Sequence, residues 1–305
     1  GGCQTRCSRD LRSVVDGNGQ IVETCPLEQG CGERGCVPAC QSAEENGSTL
    51  GCDYYAFPPD VITLNQGICY AAFIANTWGE AMTIGVERAG QTFDISGFAR
   101  IPVGSGTALT YQPLPNGELP PGEVAILFLA RFGSDKVDCP PGVTPALTTE
   151  TAHIYGTGRG SAFHISTSRP VAAYDIYPYG GGSTAVTSAS LLLPTSAWDD
   201  NYIAVNAYEK SVAVSFAEPS LDIVAAEDDT TVTINPAVNI IGGANVEAAT
   251  AGTPTTYVLQ RGEILQFTQT QELTGSPITA DKPIAVWGAA SCLSVDVAET
   301  PCDSA

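Results

Sequence analysis

The chain has 305 residues, 43% of them hydrophobic and only 15% charged, with 33 acidic against 13 basic residues for a net charge of -20. With just three lysines (Lys136, Lys210, Lys282) and no basic run, it has no surface to neutralise a phosphate backbone or an anionic headgroup, which argues against nucleic acid and anionic membranes as partners. The longest apolar run, Val124 to Ala130, is far short of a transmembrane helix.

The first 52 residues hold seven of the eleven cysteines: Cys3, Cys7, Cys25, Cys31, Cys36, Cys40 and Cys52. The remaining four, Cys69, Cys139, Cys292 and Cys302, are spread through the rest of the chain. No C-x2-C knuckle occurs, and the two histidines, His153 and His164, lie far from the head, so disulfides are the expected use and zinc is not. Cross-links at this density belong to an oxidising compartment. The expected bridges are Cys292–Cys302, as a local loop, and Cys69–Cys139, within the first module. An odd cysteine total leaves one without a partner. Cys3, preceded by Gly1-Gly2, resembles the cleavage end of a bacterial lipoprotein and is the lipidation candidate. The alternative is that Cys3 pairs within the head. A head with so little apolar material reads as a loop-rich knot without a core of its own.

Past residue 52 helical periodicity fades and glycines and prolines punctuate short runs rich in Val, Ile, Thr, Tyr and Phe. These are Val124–Leu129, Ala162–Ser166, Val171–Tyr177, Tyr202–Ala207, Val212–Phe216, Thr230–Ile234, Ile264–Thr268 and Pro283–Trp287. Such spacing predicts a sandwich or barrel. Glu227-Asp-Asp-Thr230 reads as a hairpin turn feeding an alternating strand.

An internal repeat is visible. Phe73–Ile84 aligns with Asp222–Ile234 allowing one gap, Gly122-Glu-Val with Gly262-Glu-Ile, and Ser166–Ala173 with Ile278–Val286, in the same order in both halves. The fold class expected is therefore all-β: two tandem related sandwich- or barrel-like modules at 53–190 and 191–305, preceded by the cysteine-rich head at 1–52. In the Ser/Thr-x-Arg/Lys-Pro-Val/Ile-Ala element, the proline is expected at the first residue of a strand or on a sheet edge, because it cannot donate to a ladder.

The run Asp229-Thr-Thr-Val-Thr-Ile, Leu273-Thr-Gly-Ser, Ala280-Asp-Lys-Pro-Ile-Ala-Val-Trp-Gly and the later Cys292 with Pro301-Cys-Asp303 resemble the IgGFc-binding protein N-terminal domain family. The opening Cys7-Ser-Arg-Asp-Leu-Arg with Thr24-Cys-Pro is similar to the cysteine-rich head of its bacterial, myxobacterial-type members. The resemblance covers most of the chain. It implies a secreted or lipid-anchored protein, outside the cell or at the outer surface of a bacterium, and a further module after Ala305. It carries no catalytic residues, and antibody binding belongs to the protein that gave the family its name.

Catalytic constellations are hard to assemble from this sequence. Ser161 lies between the two histidines and Asp175 follows, but no G-x-S-x-G elbow is present. Gly156–Ser161 is glycine-rich yet leads into a strand, so it reads as a turn rather than a phosphate cradle. No cofactor is expected. Asp199-Asp-Asn201 and Glu227-Asp-Asp229 are the places where calcium could be held. Tyr174, Tyr177 and Tyr179, beside Gly180-Gly-Gly182, are the candidate contact surface for a protein or glycan, with core coverage as the plainer role of Tyr177 and Tyr179. The function expected is a non-catalytic, adhesin-like extracellular module. The alternatives are a carbohydrate-active or other hydrolase, marked by carboxylates converging in a deep cleft, and a self-assembling filament subunit.

Overall fold

A computed structural model describes residues 5–62, 66–133, 137–181, 187–206 and 217–292. The fold is mostly β, with a single α-helix, Ala39–Asn46, among the described residues. A nine-stranded and a seven-stranded sheet, each curled into a half-barrel, follow a cysteine-rich head.

Each sheet is organised on one long strand. In the first it is Phe163–Tyr177, in the second Pro277–Ala290. The first half of Phe163–Tyr177 pairs with Gly51–Ala56 and Ile84–Arg88, its second half with Tyr70–Ala75 and Ser188–Leu192. Pro277–Ala290 repeats this plan, with Asp199–Ile203 and Thr230–Ile234 on its first half and Pro219–Ala225 on its second.

The repeat holds to the residue. Val124, Ala75 and Ala172 lie side by side across three strands, and so do Ile264, Val224 and Ala285, the positions the sequence alignment makes equivalent. Two residues along, Ile126, Phe73 and Tyr174 correspond to Gln266, Asp222 and Trp287. Register is pinned because a one-residue slip would turn Ile74 and Ile223, both 0% exposed, out of their cores.

Two expectations are corrected. Pro170 and Pro283 are not strand-initial but sit inside the long strands, where pairing shifts between Ser166 and Val171 and between Thr279 and Ile284. A proline costs no ladder bond at such an irregularity, and the bend hands the strand from one set of neighbours to the next. The Glu227–Thr230 turn feeds an alternating strand, but it is no hairpin. Pro219–Ala225 and Thr230–Ile234 do not pair with each other; both run along Pro277–Ala290, one after the other.

The sheets also trade strands. Gly158–Ser161 pairs with Glu263–Gln266 of the second sheet, and the chain then enters Phe163–Tyr177, the spine of the first. Ser188–Leu192, from the start of the second half of the chain, belongs to the first sheet. Backbone continuity thus ties the half-barrels together. A small apolar cluster of Tyr55, Phe57, Ala162, Trp198, Val224, Ile264 and Ala285 fills the seam between them.

The head is more ordered than a knot of loops. It contains a three-stranded sheet, a two-stranded ribbon and the helix, and Leu11, Ala39 and Ala43 pack with Trp78 of the first half-barrel. Disulfides join Cys7 to Cys31, Cys25 to Cys36 and Cys40 to Cys52. Cys69 is bonded to Cys139, closing a sequence separation of 70. Cys292 is disulfide-bonded. Cys3, Cys302 and the run Val212–Phe216 lie outside the described residues.

Candidate functional site

Strand exchange leaves a groove of about 640 Å³ along one side of the seam. Its first wall is Tyr55, Glu87, Arg88 and His164; its second is Arg159, Asp228, Arg261 and Glu263. The strand Gly158–Ser161 forms part of its floor, and the small residues Gly160, Ser161 and Ala162 keep that floor low.

Three arginines gather here from a chain with only 13 basic residues, and each is fixed. Arg88 donates through Nε to the Ser161 carbonyl (3.0 Å) and through its guanidinium to Glu150 (2.8 Å). Arg159 donates to Glu263 (2.7 Å) and to the carbonyls of Asn245 and Val258. Arg261, from the second sheet, reaches across the seam to Glu87 (3.0 Å). His164 is held between carboxylates, Asp53 on Nε2 (2.9 Å) and Glu87 on Nδ1 (3.1 Å), with Tyr55 packed on its ring. Burial pushes the Tyr55 phenol up in pKa, with Arg261 opposing, so it stays a neutral hydroxyl at physiological pH. The groove therefore offers planar donors and acceptors with their rotamers already set, which suits recognition of a polar ligand more than chemistry on one.

The hydrolase arrangement is not assembled. Neither histidine hydrogen-bonds Ser161 among the described contacts. His153 is buried, its Nδ1 lies 2.9 Å from the Pro59 carbonyl, and burial lowers its pKa to about 4. Asp175 and Asp222 line a separate cavity of about 90 Å³ at the seam, too small for a sugar ring with its attacking water.

The other candidate residues scatter. Tyr174 is 44% exposed, whereas Tyr177 is 3% exposed and packs in the first core, against Tyr70 and His153. Tyr179 is half-buried, its hydroxyl 2.7 Å from that of Tyr111. Of the three, Tyr177 points inward from the end of its strand, while Tyr174 and part of Tyr179 face outward. The two acidic turns spend their carboxylates on backbone and amide donors: Asp199 on Asp200 N, Asp228 on Arg261 N, Asp229 on the Gln260 amide. Among the described residues no three His, Cys, Asp or Glu cluster as a metal cage.

The groove joins residues as far apart in sequence as Tyr55 and Glu263, and no local motif announces it. Comparison with known families bears on its second wall. Residues 188–305 match the family model described as IgGFc binding protein. No curated protein and no solved structure matches the chain. The matched stretch begins at the strand Ser188–Leu192, the one donated to the first sheet. Apart from that strand the first half-barrel lies outside the match, but it shares the strand order and register of the matched half. A domain of this family points to a binding protein, and the disulfides point to a secreted one. Among the described residues no helix is long and apolar enough to cross a membrane.

Proposed function

We propose that the chain is a non-catalytic extracellular binding protein, adhesin-like, that holds a polar partner, protein or glycan, in the groove along the seam. The observation that carries this is the set of ion-paired arginines and carboxylates converging from both half-barrels on one open groove of about 640 Å³. The cysteine-rich head, the module limits near 52 and 190, and a location at the outer surface of a bacterium with Cys3 as lipid anchor belong to the same reading.

The test is a screen of the native, oxidised protein against glycan and protein arrays, with immunoglobulin Fc included because the family's description names it. Each ligand is then titrated against wild type and Arg159→Ala. Arg159 lines the groove and fixes only its own wall. A groove ligand weakens by about tenfold or more in the variant, the effect of losing one charge-assisted contact.

A second reading, self-association into filaments, draws on the exposed apolar residues Leu191, Leu193, Ile203 and Val205 near the donated strand. Sedimentation at rising protein concentration tests it, and a monomer throughout removes it.

A further inference from the structure

The second half-barrel carries a carboxyl group where its relative carries an aromatic ring. Asp222 is equivalent to Phe73, is 1% exposed, and faces the seam from the centre of its sheet between Gln266 and Trp287. Neither of its oxygens meets a hydrogen-bond donor, and no salt bridge among the described residues reaches it. Gln266, 0% exposed, lies directly opposite on the neighbouring strand. The ladder bond from the Gln269 amide to the Pro219 carbonyl sets the alternation along these two strands. Asp222 and Gln266 are therefore a close, non-hydrogen-bonded pair, with Cα atoms about 4.5 Å apart and side chains on one face.

Gln266 is fixed in turn. Its amide nitrogen donates to the carbonyls of Ile154 (3.1 Å) and Gly156 (2.8 Å), so the flipped amide would set oxygen against oxygen. Its side-chain oxygen is left without a donor. Three buried acceptors thus stand together, two on Asp222 and one on Gln266. One proton on Asp222 turns two of them into a donor and an acceptor and removes a charge that the interior would otherwise have to hold.

The surroundings supply no cation to do this instead. Asp175 and Tyr177 line the cavity onto which Asp222 opens, and no lysine or arginine is among its lining residues. Asp60, with Glu218 and Tyr155 near it, approaches from the other side, and the buried His153 is neutral. Burial, and after it the Asp60 charge, hold the Asp222 carboxyl well above the usual carboxylate range.

We infer that Asp222 is kept as a carboxylic acid whose O–H donates to the Gln266 side-chain oxygen, and that this proton is a pH-sensitive fastener of the seam. With its oxygen engaged, Gln266 holds Ile154 and Gly156, the approach to the exchanged strand Gly158–Ser161, against the second sheet. Raising the pH gives the proton up to solvent and leaves a carboxylate facing an amide oxygen and the Asp60 charge. A carboxyl whose folded pKa is raised stabilises the fold in full below its ordinary value of 3.8, and that contribution is lost as pH rises towards the folded value. The fastener is separate from the groove and does not depend on the groove's ligand.

Infrared spectra and urea unfolding of native, oxidised protein test it. By pH 8 Asp60 and Asp175, each raised by burial to about 6, are ionised. Wild type should still show the deuterium-sensitive carbonyl stretch of a protonated carboxyl, and Asp222→Asn should lack it. The unfolding constant of wild type relative to Asp222→Asn should rise about tenfold between pH 6 and pH 7. Should Asp222→Asn fail to fold, Gln266→Met is the second variant. It removes the acceptor, so the band must move to the frequency of a carboxyl that donates to nothing. The inference is overturned if wild type shows no protonated carboxyl at pH 8, or if the band survives in folded Asp222→Asn. Parallel stability curves for those two proteins, or a band indifferent to Gln266→Met, overturn it as well.

Discussion

Asp60 is the place where the seam's electrostatics can be measured most cleanly. Its carboxylate accepts hydrogen bonds from the Thr268 hydroxyl (2.8 Å) and the Gly156 amide (3.3 Å), bridging the two halves of the chain. Burial nevertheless dominates and pushes its pKa from 3.8 to about 6. A carboxyl whose folded pKa lies above its unfolded one favours the folded state only when protonated. Its penalty is absent below about pH 3.8, grows through the interval, and is complete above about pH 6. The gap corresponds to about 3 kcal/mol at 1.36 kcal/mol for each pKa unit. Asp60→Asn removes the titration while keeping an acceptor. Any fixed packing cost of the amide is the same at every pH, so the informative quantity is the change in the variant's relative stability with pH. Urea unfolding in metal-free buffer at half-unit steps from pH 4 to pH 8 reads it. The variant should gain on wild type by about 2.5 kcal/mol across that range, the remainder of the gap having opened below pH 4. Parallel stability curves for the two proteins would refute the reasoning.

Other perturbations probe other parts of the structure. Replacing Cys69 and Cys139 together by serine opens a closure spanning 70 residues and should cost about 4 kcal/mol in urea unfolding; a loss below about 1 kcal/mol would place the pair's stabilisation elsewhere. Ile74→Ala and Ile223→Ala, at equivalent buried positions, should each cost about 3 kcal/mol by the same assay, and a large inequality would contradict their equivalence. His153 is held neutral, with a pKa lowered to about 4, so its contribution is full above about pH 6.5 and falls away as pH drops towards 4. His153→Gln should flatten that part of the stability profile, and an unchanged slope would exclude the assignment.

Much of the architecture could be read from the residues, for a physical reason: apolar alternation and Gly-Glu turns repeat in order because each half must bury the same face of the same long strand. Ile74 and Ile223 show this most directly, as do the paired runs at Val171 and Ile284. The bends at Pro170 and Pro283 were hidden, since a proline inside a strand is permitted only where pairing already shifts, and the shift is a tertiary event. Strand exchange was hidden too, because Gly158–Ser161 reads as a turn until Glu263–Gln266 lies beside it. The groove depends on Glu87, His164 and Arg261 meeting across the seam, and sequence spacing holds no record of that. Asp222 did leave a signal. It breaks the apolar run Leu221-Asp-Ile-Val-Ala225 at an inward position, where its repeat partner is Phe73.

The central claim is that the seam groove binds a partner without transforming it. Surface plasmon resonance on native, oxidised protein with the array-selected ligand, run in parallel on Arg159→Ala, tests it most directly. The account expects saturable, reversible binding that the substitution weakens at least about tenfold, with the ligand recovered chemically intact. Binding indifferent to Arg159, or a ligand recovered cleaved, would contradict it.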